Sequence, residues 1–139
     1  MALNDYRVGV VGATGAVGST ILKVLADRQF PAREVVPFAS ERSAGKKVDF
    51  DGSSLECRPL TPGSIQGLDL VLASAGGKIS AEWAPKFVDA GAVVVDNTSY
   101  WRMHDDVPLI VAQVNDDAAE GHNGIIANPN CTTMQLMVA

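Results

Sequence analysis

The feature that most constrains the fold is a strand, a glycine-rich turn and a helix, which follow one another near the start of the chain. Residues 7–11 (RVGVV) predict a buried β-strand, and residues 16–28 predict an amphipathic α-helix. A strand that feeds directly into a helix is the first half of a parallel βαβ unit. The apolar face predicted for this helix consists of Val17, Ile21, Val24 and Leu25.

The turn between strand and helix carries Gly12, Gly15 and Gly18, spaced G-x-x-G-x-x-G. A helix N-terminus presents free N–H groups that favour an anionic phosphate, and glycine lets the backbone approach it closely. With a strand before it and a helix after it, the pattern indicates a dinucleotide-binding turn rather than a βα turn that binds nothing. The cofactor-binding residues predicted in this turn are Gly12, Ala13, Thr14, Gly15, Ala16 and Val17.

Short β-like runs alternate with longer helical ones through the rest of the chain, which favours further βαβ units. Asp51-Gly52 stands between two alternating runs and indicates a β-hairpin. We therefore predict a Rossmann-like, mostly parallel, doubly wound α/β sheet with an inserted hairpin. The other predicted elements are strands at 35–39, 68–73 and 93–95, a helix at 79–90 with Ser80 as its cap, and short apolar runs at 109–112 and 125–127.

Composition limits the class of protein. A chain of 139 residues matches one ordinary domain. Its 11 basic and 16 acidic residues give a net charge of −5, which argues against nucleic acid and against an anionic membrane surface as partners. The sequence contains no apolar stretch of membrane-spanning length, and its N-terminus does not resemble a signal peptide. Two cysteines form no disulfide framework, so we predict a reduced, cytoplasmic protein, and we assign no metal site.

The segment after the second predicted strand reads ASERSAGKK. An NAD-binding domain usually has an acidic residue there for the ribose hydroxyls, whereas Ser40, Arg42 and Ser43 offer donors that suit a 2′-phosphate. Glu41 is discordant, and we expect its side chain to point away. The segment therefore predicts NADP as cofactor; the alternative is a solvated polar loop.

The segment IIANPNCTT, residues 125–133, places a cysteine at a predicted helix start. Pro129 cannot continue a strand, and Asn130 is a natural N-cap. A helix N-terminus stabilises a thiolate, and its N–H groups can hold a developing oxyanion. From these residues Cys131 is either a nucleophile or a buried structural cysteine, a role that fits Cys57 in its hairpin position.

In order and spacing, the segments VGVVGATGAVGS, FASERSAGKK, VVVDNTSYWRMHDDVPLIVAQVN and GIIANPNCTT resemble aspartate-semialdehyde dehydrogenase along the whole chain. The resemblance implies that Cys131 is the nucleophile that forms an acyl-thioester and that Asn130 is its neighbour in the substrate pocket. It also implies that Arg102 is a phosphate or substrate-anion ligand. For Arg102 the alternative is a surface ion pair with Asp105 or Asp106.

The resemblance further implies that Asn97 and Ser99 line the substrate pocket and that Ser74, Ala75 and Gly76 form a turn beside the cofactor. The implied reaction converts L-aspartyl-4-phosphate to L-aspartate-4-semialdehyde with NADPH and releases phosphate. It belongs to lysine, threonine and methionine biosynthesis. The complete enzyme is expected to be a homodimer or homotetramer.

Members of this family continue into a second domain that carries an acid/base histidine and most of the dimer interface. We therefore expect residues 1–139 to be the NAD(P)-binding portion of a longer enzyme, without that domain and inactive alone. His104 and His122 stand outside the matching motifs, and we interpret them as solvated loop residues. Two alternatives stay open: a related acyl-phosphate reductase of the N-acetyl-glutamyl-phosphate type, and a nucleotide-binding module without catalysis.

Overall fold

The computed structural model describes residues 6–139 and contains a five-stranded, fully parallel sheet in the order β2-β1-β5-β6-β7. A separate antiparallel hairpin, β3-β4, lies between β2 and β5 in sequence. The signal-peptide interpretation concerned a segment whose residues 1–5 lie outside the described residues. The strands are β1 (Tyr6–Val11), β2 (Ala32–Phe38), β3 (Lys47–Phe50), β4 (Ser53–Glu56), β5 (Leu70–Ala73), β6 (Val93–Asp96) and β7 (Ile125–Ala127). The helices are α1 (Ala16–Asp27), α2 (Gly77–Asp89) and α3 (Cys131–Val138).

The core lies on both faces of the sheet. On one face, Leu22 and Leu25 of α1 pack with Val8 and Val10 of β1 and with the hairpin. On the other face, Phe87 of α2 packs with strand side chains that point the opposite way, such as Val71 and Val94. Period-two alternation in a strand sends successive side chains to opposite faces, so one strand serves both clusters. The predicted doubly wound sheet with an inserted hairpin is confirmed.

Several element predictions need correction at their ends. Pro37 lies inside β2, which is tolerated because β2 is an edge strand of the sheet. The second helix begins at Gly77 after an N-cap at Gly76, so Ser80 is buried within the helix and does not cap it. The apolar run 109–112 forms a single bridge, Leu109 to Ala127, and no strand.

The apolar face predicted for α1 is half wrong: Leu25 is buried and Ile21 packs against the core, but Val17 and Val24 do not. Gly18, Leu22 and Leu25 are buried, whereas Val17 and Val24 are 47% and 42% exposed. The helix is rotated about its axis relative to the prediction, because Gly18 must face the glycine turn. Leu22 and Leu25, which are four and seven residues further on, then face the sheet. Over residues 6–139, α1, α2 and α3 are all too short or too polar to cross a membrane.

Candidate functional site

The predicted site residues gather at one edge of the sheet, where all five parallel strands end. The glycine turn follows β1, Ser40 follows β2 closely and Ser74 follows β5 directly. Asn97 follows β6, and Cys131 opens the helix that follows β7. Because parallel strands share their direction, segments far apart in sequence meet along this edge, which is where open α/β sheets bind ligands.

The turn after β1 is tied tightly to its neighbours. The N–H groups of Gly12 and Ala13 both donate to the Phe38 carbonyl at 3.0 Å, and the Gly15 N–H donates to the Gly12 carbonyl at 3.0 Å. Gly12 has a φ of +84°, and a Cβ there would lie 3.1 Å from the backbone nitrogen of Ala75. A side chain there would press against the backbone of Ser74 and Ala75, so glycine lets the turn after β1 pack closely against the turn after β5.

Gly18 determines how α1 leaves the turn. A Cβ on Gly18 would stand 1.9 Å from the carbonyl oxygen of Gly12 and 2.6 Å from its carbonyl carbon. These are backbone atoms held by the sheet, and they cannot move aside as the end of a flexible side chain can. The pairing of Gly12 with Gly18 is therefore required by packing, whether or not a ligand is bound.

The first turn of α1 leaves backbone donors free. The N–H groups of Ala16, Val17 and Gly18 have no acceptor among the described residues, and the first helical bond runs from Ser19 to Gly15 at 2.9 Å. No side chain caps this end, since the N-cap is Gly15 itself. Unpaired N–H groups at a helix N-terminus attract anions, and this end of α1 therefore suits a pyrophosphate.

A groove of about 290 Å³ lies beside the turn. Six predicted cofactor residues line it, namely Gly12, Thr14, Gly15, Ser40, Ser74 and Ala75. Leu60 and Ile79 also line it and were not predicted, because an apolar residue outside a motif gives no signal of ligand contact. Apolar walls with a few polar groups are typical of cofactor sites, and this groove is the candidate cofactor site.

The remaining residues predicted in the turn are not part of the groove lining, although the N–H groups of Ala16 and Val17 are free at the N-terminus of α1. Ala13 is fully buried, so only its backbone can contribute to a ligand. Ala16 and Val17 line a larger groove of about 500 Å³ on the α1 face, which also includes Asn97 and Asn128. This larger groove is walled mainly by apolar side chains of α1, β5 and β6 and does not include Gly12 or Ser40, so we do not treat it as the phosphate site.

The segment after β2 forms a short 3-10 turn at Glu41–Ser43. The Ser43 N–H donates to the Ser40 carbonyl at 2.8 Å, which curls the segment beside the cofactor groove. Ser40 and Arg42 are exposed and Ser43 is half-buried. Among the described residues, neither Glu41 nor Arg42 forms an ion pair, so the guanidinium of Arg42 is free to meet an anion.

Cys131 is the first residue of α3, and its side chain is exposed. Asn130 caps the helix, since its side-chain oxygen accepts the Thr132 N–H at 2.9 Å. The predicted helix start and cap are thus confirmed, and the buried alternative for Cys131 is excluded. Cys57 is buried, and that burial raises the pKa of its thiol.

Arg102 is half-buried and binds backbone rather than a carboxylate. Its Nε donates to the Asn128 carbonyl at 2.8 Å and its Nη2 to the Asn97 carbonyl at 3.3 Å. The alternative of an ion pair with Asp105 or Asp106 is therefore wrong. Arg102 joins the ends of β6 and β7, and its Nη1 has no partner among residues 6–139. Ser99 is exposed in the same loop.

The two histidines are less solvated than the sequence suggested. His104 is half-buried between Tyr100 and Trp101, with ring centroids 5.2 Å and 4.8 Å from its own. The Nδ1 of His122 accepts the Gly124 N–H at 2.9 Å. Neither is a free loop side chain, because each packs against its own local turn. In the described part of the chain, no three His, Cys, Asp or Glu residues form a group that could hold a metal.

These features define the class of protein. A parallel sheet with a glycine turn after its first strand, free helix N–H groups and a groove at the carboxyl edge form a Rossmann-type dinucleotide-binding domain. The chain belongs to the semialdehyde dehydrogenase NAD-binding domain family, because the model described as "Semialdehyde dehydrogenase, NAD binding domain" matches residues 7–122. The cofactor class is accordingly a nicotinamide dinucleotide.

Similar proteins agree with this assignment. An aspartate-semialdehyde dehydrogenase of Aquifex aeolicus is 53% identical over 137 residues, which cover 96% of this chain and 40% of the relative. A crystal structure of aspartate semialdehyde dehydrogenase II of Vibrio cholerae, complexed with ASA, superposes with a TM-score of 0.92 at 45% identity, covering 96% of this chain and 44% of that one. The enzyme with NADP from Candida albicans gives a TM-score of 0.73 at 26% identity, covering 94% and 44%.

The resemblance to aspartate-semialdehyde dehydrogenase that the motifs indicated is thus confirmed. The chain spans about two fifths of the length of the curated relatives it matches.

Proposed function

We propose that this chain forms the NADP-binding part, and supplies the nucleophile, of an enzyme that reduces L-aspartyl-4-phosphate to L-aspartate-4-semialdehyde. The observation that carries the proposal is the position of Cys131. It is an exposed thiol at a capped helix N-terminus, on the same sheet edge as the candidate cofactor groove. A nucleophile and a dinucleotide site on one edge suit an acyl transfer followed by a reduction.

In the proposed mechanism, the Cys131 thiolate attacks the acyl carbon of the aspartyl phosphate and phosphate leaves, so a thioester forms. Because Cys131 is exposed at the first position of α3, its sulfur is accessible to the acyl carbon. Arg102, through its unpartnered Nη1, and the amides of Asn97 and Asn130 would hold the anionic groups of the substrate, with Ser99 beside them. Bound NADPH would supply a hydride to the thioester carbon, and breaking of the bond between that carbon and the Cys131 sulfur then releases the aldehyde and restores the thiolate.

The residues at the cofactor groove fit NADPH. Gly12 lets the turn after β1 pack against Ser74 and Ala75 beside the groove, and the free N–H groups of Ala16 and Val17 suit a pyrophosphate. Gly76, the N-cap of α2, follows Ser74 and Ala75 in the turn that we assign to the cofactor. Ser40 and Ser43 would flank the 2′-phosphate, and Arg42 would pair with it.

The complete enzyme would be a homodimer or homotetramer that acts in the cytoplasm, in aspartate-family amino-acid biosynthesis. Its reactive thiol requires a reducing compartment, which supports that location. We expect these 139 residues alone to bind NADPH weakly at most and to show no turnover.

The cofactor preference is tested by titrating NADPH and NADH into the protein and into Arg42→Ala. Loss of a charge-assisted bond to the 2′-phosphate should weaken NADPH binding by roughly tenfold or more and leave NADH binding unchanged. Arg28→Ala is the matched control, since Arg28 is an exposed cation at the C-terminal end of α1. Equal losses for both nucleotides would contradict the assignment of Arg42.

The chemistry is tested by exposing the protein to L-aspartyl phosphate and locating any thioester by mass spectrometry. We expect acylation at Cys131, none at Cys57 and none in Cys131→Ser. N-acetyl-glutamyl phosphate as the second acyl donor separates the related reductases. Preferential acylation by that donor would replace the proposed substrate, and no acylation by either donor would favour a binding module.

A further inference from the structure

Asp96, the last residue of β6, is the one fully buried carboxylate side chain of the described core. One carboxyl oxygen accepts the Thr98 hydroxyl at 2.6 Å, while the other has no partner among the described residues. A carboxylate buried with so few hydrogen bonds is costly, and an apolar residue at such a position is often as stabilising or more so. Packing alone therefore does not account for Asp96.

The Thr98 hydroxyl links Asp96 to the loop that follows β6 by hydrogen bonds. Its hydroxyl proton is committed to Asp96, and its oxygen accepts the Tyr100 N–H at 3.2 Å. The loop then turns, with the His104 N–H donating to the Trp101 carbonyl at 3.1 Å. A hydroxyl that both donates and accepts in a buried place has a fixed orientation, so the Asp96 carboxyl group determines where the loop begins.

Arg102 lies within this loop and closes a circuit of hydrogen bonds. Its Nε donates to the backbone carbonyl of Asn128 and its Nη2 to that of Asn97. The backbone N–H of Asn128 in turn donates to the backbone carbonyl of Asp96 at 2.8 Å. Asn128 is two residues from Asn130, which caps the helix of Cys131. The guanidinium and the segment that leads to the thiol therefore depend on the same network.

We propose that Asp96 is a positioning residue: through Thr98 it holds the loop that carries Arg102, and so keeps the Arg102 guanidinium against the backbone leading to Cys131. Asp96 itself does not touch substrate. The step to catalysis rests on the proposed function, in which Arg102 receives the substrate anion, whereas the positioning of Arg102 is a property of the chain alone.

The positioning is tested by the exchange rate of the Arg102 Nε proton, measured by NMR on the whole protein. Thr98→Val removes the hydroxyl at nearly constant shape, and we expect exchange at Arg102 to rise on the order of tenfold, as loss of one hydrogen bond allows. Thr98→Ser keeps the hydroxyl and should restore the slow rate. Asp96→Asn removes the charge, keeps one acceptor, and should give an intermediate rate.

The Arg7 Nε proton, which bonds Glu34 at the opposite end of the strands, is the internal control and should not change in any variant. If the exchange rate at Arg102 is unchanged in Thr98→Val, the proposal is overturned, whatever the rate at Arg7. If Thr98→Val does not fold, the Asp96→Asn and Thr98→Ser rates decide in the same way, since wild-type exchange in Asp96→Asn also contradicts the role of the carboxylate.

A second measurement separates this proposal from the proposed function. The rate at which L-aspartyl phosphate acylates Cys131 should fall in Thr98→Val and recover in Thr98→Ser, with Cys131 still labelled by iodoacetamide at its normal rate. Absence of acylation in the wild-type protein would reject the proposed function, while the Arg102 exchange rates would still decide the positioning. Normal acylation with a released Arg102 would show that the position of Arg102 does not matter to the reaction.

Discussion

The helices α1 and α3 begin in similar places and are held in different ways. Each follows a strand of the sheet and starts at its carboxyl edge. α1 has no side-chain cap, but Gly18, Leu22 and Leu25 bury it in the fold. α3 has a side-chain cap from Asn130, yet it has no buried residue.

The two helix N-termini therefore differ in what holds them in position. The N-terminus of α1 is positioned by tertiary packing, so its free N–H groups are held in a fixed orientation. The N-terminus of α3 is positioned by a local cap, and Leu136 and Met137 are 72% and 54% exposed. Short helices without packing are marginal, so the environment of Cys131 depends strongly on Asn130 and on the circuit around Arg102.

The largest effect that would test this comparison is expected from Gly18→Ala. The new Cβ would meet the Gly12 carbonyl at 1.9 Å, so α1 must shift, and we expect a loss of about 3 kcal/mol in the free energy of unfolding by urea. Gly15→Ala is the matched control, because its Cβ would lie 3.4 Å from the same carbonyl and its φ of −82° suits alanine. Equal stability of the two variants would mean that α1 is not held by this contact.

The next effect concerns the two thiols. Cys131 is exposed at a helix N-terminus, while Cys57 is buried and its thiol pKa is raised by that burial. Iodoacetamide near neutral pH should therefore label Cys131 faster by on the order of tenfold or more. Mass spectrometry of the two peptides measures both rates, and Cys131→Ser identifies the background. Equal rates would remove the case for an activated thiol at α3.

A smaller effect is expected from Asn130→Ala. Loss of the cap should destabilise α3 by about 1 kcal/mol, and because no packing compensates, the helix should fray. Faster amide exchange in residues 132–136 and slower alkylation of Cys131 would report the change. Asn130→Ser keeps a capping oxygen and should behave like the wild type. Full retention of α3 in Asn130→Ala would show that the cap is not what holds the helix.

The smallest effect on stability is expected from the ion pair between Arg7 and Glu34, which lies near the amino ends of the strands, away from both helix N-termini. A hydrogen bond from Arg7 lowers the pKa of Glu34 below its ordinary value of 4.5, partly against desolvation, with Arg58 adding to the effect. The ion pair therefore stabilises the fold above about that pH and is lost as pH falls through the lowered value.

Because the Glu34 side chain is 41% exposed and solvent screens the ion pair, Glu34→Gln should cost only a few tenths of a kcal/mol at pH 7 and nothing at low pH. Urea unfolding at several pH values measures this, with Glu82→Gln as a control for loss of an exposed helix pair with Lys86. A pH-independent loss would contradict the role of the ion pair. Neither variant should change labelling of Cys131.

Local patterns predicted much of the fold because they depend on near neighbours. Turn chemistry at Asp51-Gly52 predicted the hairpin, whose strands pair from Lys47 with Glu56 to Phe50 with Ser53. The cap at Asn130 was predicted for the same reason, since it needs only the next two residues. The rotation of α1 was not predicted, because two apolar stripes were present and only the contact of Gly18 with Gly12 selects between them.

The site divides in the same way. Motifs predicted the glycine turn, the Ser40–Ser43 segment and Cys131 as candidate site residues, because the groups they offer are recognisable by type. Leu60 and Ile79, which line the cofactor groove, were not predicted. Asp96 was not predicted either, because its proposed positioning role depends on what surrounds its carboxyl group. Arg102 was predicted as a candidate site residue, but its bonds to two carbonyls could not be foreseen, because its partners are backbone atoms just after β6 and β7.

The sequence by itself therefore determined the succession of strands and helices along the chain, the glycine turn after β1, the family, and the cysteine at a helix N-terminus. Each of these follows from residues adjacent along the chain, where backbone geometry and capping act over a few bonds. Only the tertiary structure decided which stripe of α1 is buried, that Cys57 is buried while Cys131 is exposed, and that Asp96, Thr98 and Arg102 form one circuit. These depend on strand order, because parallel strands bring together at one edge residues that the chain separates widely.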